Sequence, residues 1–206
     1  MEGGYNEGGK SASIWDTWAG HNGEPSHIAE GADAKVACDS YHKYADDVAL
    51  LKGMGLSHYR FSIAWTRILP DGTTGTLPDG TTGTVNEAGV QYYKNLIAAL
   101  KAEGIEPVVT LYHWDLPQVL SDQGGLLNPQ FADWFVEYAR VCFREFGDDV
   151  SGKVGQCSFS YRVFDRSSNG SHSTSPGSSH FWAMGTAVSL QASLAAGPIP
   201  TPPLTI

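Results

Sequence analysis

Pro107-Val108-Val109-Thr110-Leu111-Tyr112-His113-Trp114-Asp115-Leu116-Pro117 is the stretch on which the fold turns. Val108 to Leu111 are branched or aliphatic, a short apolar run of the kind found in strands buried on both faces. The character changes at the next residue. Tyr112, His113, Trp114 and Asp115 follow, and Pro117, which lacks a backbone N–H, ends regular structure. An apolar strand that runs directly into aromatic and polar side chains fits the carboxyl end of a parallel strand. Open sheets and barrels gather their binding groups at that end.

Upstream of this strand, Val90, Tyr93, Leu96, Ile97 and Leu100 recur at helical spacing, with Asn86 placed to cap and Gly104 to terminate. Before that helix, Tyr59-Arg60-Phe61-Ser62-Ile63-Ala64-Trp65 alternates and is rich in strand-forming residues. Earlier still, Tyr41, Tyr44, Val48 and Leu51 mark a helix that opens at Asp39 or Ser40 and stops at Gly53 and Gly55. Downstream, residues 116–128 read as a loop. Phe131, Trp134, Phe135, Tyr138, Val141, Cys142 and Phe146 then mark a third amphipathic helix. The order helix, strand, helix, strand, helix predicts an α/β fold with a parallel sheet. Residues 1–36 read as Gly-rich loop with Trp15 and Trp18 as anchors.

The net charge of −9 argues against nucleic acid and anionic membrane as partners. The three cysteines, Cys38, Cys142 and Cys157, have no metal or disulfide spacing, and Cys38 and Cys142 read as small core residues. The polar, acidic start at Met1-Glu2-Gly3-Gly4 is no signal peptide, so the expectation is either a cytoplasmic location or a true N-terminus that lies upstream. Nothing in the residues specifies an oligomer. Leu-Pro-Asp-Gly-Thr-Thr-Gly-Thr stands at 69–76 and again, identically, at 77–84; it reads as a duplicated turn in a surface loop. The composition shifts at about residue 150. All but one of the 22 acidic residues precede that point, and the Ser/Gly/Pro-rich segment 151–206 reads as a disordered tail with no recognisable domain. Its apolar part, Phe181 to Ala196, is too short and too polar for a membrane span.

Five stretches carry a resemblance in this order and spacing: Glu2-Gly3-Gly4, Ser13-Ile14-Trp15-Asp16-Thr17, Val36-Ala37-Cys38-Asp39-Ser40-Tyr41-His42, Tyr59-Arg60-Phe61-Ser62-Ile63-Ala64-Trp65 and Tyr112-His113-Trp114-Asp115-Leu116-Pro117. Residues 2–149 are similar to the N-terminal part of a family 1 glycoside hydrolase, the β-glucosidase group that includes lactase-like and klotho-like proteins. The resemblance implies a (β/α)₈ TIM barrel with its active site at the carboxyl ends of the strands. On that template residues 1–150 form the N-terminal part of the barrel, with Arg60 on the second strand and Val109 on the third. The first strand and a sugar-binding glutamine are expected upstream of Glu2, and five strands beyond Val150. The chain then supplies about two of eight strands.

The implied activity is retaining hydrolysis of β-linked O-glycosides, with a β-glucoside or related glycoside as partner and no metal or organic cofactor. Such enzymes use two carboxyl groups about 5–5.5 Å apart, one as nucleophile and one as acid/base. In the family these are glutamates in Asn-Glu-Pro and Glu-Asn-Gly, and neither tripeptide occurs here. Asn22-Gly23-Glu24-Pro25 and Asn86-Glu87-Ala88 come nearest and are rejected as substitutes. No catalytic residue is therefore assigned, and the chain alone is expected to be inactive. The resemblance places His113 and Trp114 on the glycone hydroxyls and makes Arg60 the residue that orients the nucleophile. By residue type alone, His113 suits a structural role at a strand end as well as a ligand role. Arg60, inside a strand, would be a buried charge without its partner. Trp15 and Trp65 read as packing residues, and Asp16, Asp39 and Asp115 as loop braces. Two other readings stay open: a non-catalytic, klotho-like module binding sugar or protein, and a truncated gene-model or splice product without function.

Overall fold

A computed structural model of the chain describes residues 2–21, 23 and 25–150. The 151–206 segment, with Cys157, lies outside the described residues, as do Asn22 and Glu24 of the Asn-Gly-Glu-Pro lookalike. Six helices and two strands are present among them: α1 (Ile14–Trp18), α2 (Ser40–Gly53), β1 (His58–Ser62), α3 (Trp65–Ile68), α4 (Glu87–Ala102), β2 (Glu106–Thr110), α5 (Gln118–Asp122) and α6 (Phe131–Phe146). The expected alternation is present, and β1 pairs with β2 in parallel, His58 opposite Glu106 and Ser62 opposite Thr110. The connection between them runs through α3, the repeated segment and α4.

Two segments expected as loop carry short helices. Within 1–36, α1 is nucleated by a capping box: the Ser13 hydroxyl and backbone N–H meet the Asp16 side chain, and Asp16 N–H returns to Ser13. The Ser-x-x-Asp spacing is the signal for it. Within 116–128, α5 follows Pro117, whose fixed φ suits the residue before a helix. β1 is shorter than the alternating run. Ala64 ends the extended stretch, and Trp65 starts α3.

One core cluster fills the space between α2, α4 and the sheet: Val48, Leu96, Leu100 and Ile105 are buried, with Tyr44, Leu51, Tyr59 and Phe61 packed around them. The other is aromatic. Trp65, fully buried, stacks on Tyr138 at 4.8 Å between ring centroids and meets Phe131, Phe135 and Tyr112 edge-on or tilted. Each such side chain gains roughly 1.5–3 kcal/mol from burial, before the cost of ordering it. Trp65 is thus a packing residue as expected. So is Cys142, whose thiol is pushed up to about 12 by burial. Cys38 is not: it is exposed, on the segment leading into α2.

The charged group at the centre of the fold is Arg67 on α3. Its side chain is completely buried. The guanidinium donates to the Glu2 carboxylate at 3.2 Å, to Glu7 O at 2.8 Å and to Gly4 O at 3.1 Å, and it lies 4.3 Å over the Tyr41 ring. The Tyr93 hydroxyl donates to the other oxygen of Glu2 and accepts Ala64 N–H at 2.8 Å. One cation therefore joins the N-terminal loop, α2, α3 and α4. Gly89 lets α4 come this close, since a Cβ there would lie 2.0 Å from Arg67 O. Replacing Arg67 by Met is expected to cost about 3–5 kcal/mol, because it strands the Glu2 carboxylate and orphans two carbonyls. Urea unfolding followed by tryptophan fluorescence measures this, with Glu2→Gln expected to cost less than Arg67→Met.

Candidate functional site

The carboxyl ends of β1 and β2 are held together from beneath. Ile63 N–H donates to Thr110 O at 2.9 Å, extending the parallel ladder by one bond. The Tyr138 hydroxyl of α6 spans both strand ends, 3.2 Å from Ile63 O and 2.8 Å from Leu111 O. Tyr138 is fully buried and its hydroxyl meets the two strand carbonyls, so it aligns the strand exits from below.

Arg60 stands on β1 opposite Val108, and its Nε donates to Thr110 Oγ1 at 2.9 Å. Its side chain is exposed in this chain, so it is not the buried unpaired charge expected from its place within the strand run. The alternation of β1 turns Tyr59 and Phe61 to the apolar cluster and leaves Arg60 on the other side. Thr110, buried at the end of β2, is a site residue that the sequence did not single out. Its only signal was a hydroxyl in an otherwise apolar run.

The segment after β2 is fixed by the N-terminal loop, which zips onto it antiparallel. Ile14 N–H donates to Leu116 O at 2.9 Å, Gln118 N–H to Ala12 O at 2.9 Å, and Ser13 bridges Pro117. The Trp15 indole N–H closes the series on Trp114 O at 2.7 Å. Trp15 is therefore not a buried packing residue: it is 54 % exposed, and its indole makes this hydrogen bond. Trp114 itself sits at φ +70, a left-handed conformation that costs a bulky residue of order 1–3 kcal/mol. The residue is also 54 % exposed. The strain turns the peptide so that the carbonyl meets Trp15 while the indole faces outward.

His113 is exposed beside it, and its N–H donates to Asp115 Oδ1 at 3.2 Å. Asp115 thus braces the turn, as Asp16 braces α1. Asp39 likewise binds His42 Nδ1 at 2.6 Å. Burial pushes the Asp115 carboxyl above its ordinary value, against the lowering effect of the His113 N–H. The site brings together Arg60, Thr110, His113, Trp114 and Asp115 at one end of the sheet. It does not include Glu87, which is exposed in the first turn of α4. A separate cavity of about 400 Å³ lies between α1 and α5, where Trp18 stacks on His27 at 4.3 Å.

The fold and site define a parallel α/β unit that collects a cation, a histidine and an outward-facing indole beyond its strand ends. Comparison with known proteins gives the family. The model of glycosyl hydrolase family 1 matches residues 1–184, and the chain belongs to that family. It is 50% identical over 151 residues to raucaffricine-O-beta-D-glucosidase of Rauvolfia serpentina, covering 73% of this chain and 26% of that protein. It is 52% identical over 150 residues to lactase/phlorizin hydrolase of Rattus norvegicus, covering 73% of this chain and 7% of that one. Among solved structures, the β-glucosidase from Thermotoga maritima in complex with azafagomine superposes with a TM-score of 0.64 at 42% identity, over 73% of this chain and 32% of that one. The chain thus spans less than a third of the length of these relatives. The family fold is the TIM barrel, and β1, α4 and β2 are a strand-helix-strand part of it.

The raised Asp115 carboxyl has a defined sign in pH. The folded chain holds this proton more tightly than the unfolded chain, so this group's contribution to stability is greatest below the ordinary value of 3.8 and is lost as pH rises through the raised one. Asp115→Asn keeps an acceptor for His113 N–H and removes the burial penalty. Its melting temperature is expected to match the parent at low pH and to exceed it above that window, with the difference curve across pH as the readout.

Proposed function

We propose that the strand ends of this chain form the glycone-binding part of a β-glucosidase-type retaining glycosidase, and that the chain alone does not turn over. The observation that carries this reading is Trp114. A large residue held in a strained left-handed conformation, pinned through its carbonyl and half exposed beside the Tyr112 ring at 5.9 Å, is not spent on filling the core. An exposed indole offers a sugar both an apolar face and an N–H donor. His113, adjacent and exposed, offers a donor or an acceptor to neighbouring hydroxyls. Arg60 spends its Nε on Thr110 and keeps the rest of its guanidinium fork for a carboxylate, the role of holding a nucleophile ionised and oriented.

The reaction then needs two carboxyl groups facing the glycosidic bond. The first attacks the anomeric carbon while the second protonates the departing oxygen. In the second half-reaction the second group takes a proton from water, which displaces the first. The tripeptides expected to carry these groups are absent from the sequence. General acid–base assistance alone is worth about 10²–10⁴-fold, so its loss with that of the nucleophile abolishes measurable turnover. Binding without turnover would also fit a sugar-binding module, which His113 and Trp114 would serve in the same way.

Purified chain is expected to leave an aryl β-glucoside unhydrolysed above blank. Glucose binding, read by tryptophan fluorescence, is expected to weaken on His113→Ala by about two- to tenfold, the worth of one hydrogen bond of about 0.5–1.5 kcal/mol. Hydrolysis above blank that disappears on His113→Ala would overturn the inactivity. Binding unchanged in both His113→Ala and Trp114→Ala would overturn the site.

A further inference from the structure

The duplicated octapeptide is one sequence in two environments. The first copy is built into the fold. Leu69 is completely buried, and Gly72 O accepts the Trp65 indole N–H at 2.9 Å. The Thr73 hydroxyl binds the Glu137 carboxylate of α6, and Thr74 N–H donates to the same oxygen at 3.1 Å. Gly72 rests against Leu120 of α5, where a Cβ would lie 2.6 Å from Leu120 Cγ. The second copy stands outside. Pro78 to Thr82 are exposed, and a Cβ on Gly80 would meet nothing within 4 Å.

The two copies nevertheless share one turn. In the first, Gly72 N–H donates to Leu69 O at 2.9 Å with Gly72 at φ +80; in the second, Gly80 N–H donates to Leu77 O at 2.9 Å with Gly80 at φ +84. The exposed copy has already folded into the turn that the buried position requires, with no neighbour imposing it. The Leu-Pro-Asp-Gly sequence dictates that turn locally.

The ends of the loop are pinned independently of which copy is inside. Asn86 N–H donates to Ile68 O and Asn86 Nδ2 to Arg67 O, both at 2.9 Å. The chain leaves the buried position at Gly75 and returns at Gly83, which occupies the same place in the repeat, and Gly83 N–H donates to Gly75 O at 3.0 Å. The residues between form a closed excursion of repeat length.

We propose that the two copies are alternative occupants of one seat formed by Trp65, Leu120 and Glu137. In one register residues 69–76 are seated and 77–84 stand out. In the other, 77–84 are seated and 69–76 stand out, between the same two anchors. Every contact to the seat is re-made by an identical residue, so the registers differ only in whether the excursion follows or precedes the seated copy. The seat is a binding site for the peptide Leu-Pro-Asp-Gly-Thr-Thr, and the chain carries its own competitor.

The test places a trypsin site where it cannot be seated. Lysine is strained by positive φ at positions 72 and 80 alike, but only at position 72 would it also collide with Leu120, whereas position 80 is open. If the copies exchange, Gly72→Lys shifts the chain to the second register. Trypsin then cuts at residue 72 about as readily as Gly80→Lys is cut at residue 80, within about tenfold because cleavage tracks the exposed population, with the rest of 2–150 intact in both. The double variant has no copy that fits and is expected to be digested throughout. Two results would overturn the proposal: Gly72→Lys digested throughout like the double variant, or left uncut at residue 72. Throughout-digestion of Gly80→Lys would overturn it as well, since the seat would then not distinguish an occupied from an empty copy.

Discussion

The buried guanidinium of Arg67 is the constraint on which the rest depends. A cation without water must be met by acceptors on every side. Here those acceptors come from distant parts of the chain: the Glu2 carboxylate, the Glu7 and Gly4 carbonyls and the faces of Tyr41 and Tyr92. Satisfying one charge fixes the path of residues 2–9 and the approach of α2 and α4. That path delivers Ala12 to Trp15 to the segment after β2. The left-handed Trp114 exists because Trp15 is there to receive its carbonyl. The site is held by a chain of contacts that starts at a group far from it in function.

Division of labour among the aromatic residues follows from where each lies relative to the strand ends. Trp65 and Tyr138 stack beneath the sheet, and Tyr138 spends its hydroxyl on the two strand carbonyls. Trp114 and Trp15 lie past the ends, exposed and joined by one hydrogen bond. The same residue type thus serves as filler in one layer and as a presented surface in the next. Burial decides which, since buried Trp65 and exposed Trp15 alike find a backbone carbonyl for the indole N–H.

Much of the fold was legible. The helical spacing of Val90 to Leu100 and of Phe131 to Phe146 corresponds to α4 and α6, and every residue named on those faces is buried. The two apolar runs pair in parallel as the alternation required. Short helices were not legible from periodicity: α1 and α5 have five residues each, less than two turns, and α1 is marked only by its capping-box spacing. Of the two arginines in this region, Arg60 was misjudged and Arg67 was not singled out. The arginine inside the strand run is exposed, and the one in the following turn is fully buried.

The sequence by itself determined the local conformations and the family. Periodicity, the capping box and the Leu-Pro-Asp-Gly turn act over a few residues, and the ordered set of motifs from Glu2 to Pro117 identifies the glycosidase barrel. Only the tertiary structure decided which of two arginines is buried, which of two identical octapeptides is seated, and that Trp114 adopts a strained backbone. These depend on neighbours more than fifty residues away in sequence, such as Glu2 for Arg67, Glu137 for Thr73 and Trp15 for Trp114. The physical reason is that desolvation and hydrogen-bond satisfaction are set by what surrounds a group in space, whereas a sequence pattern reports only what the chain does next to itself.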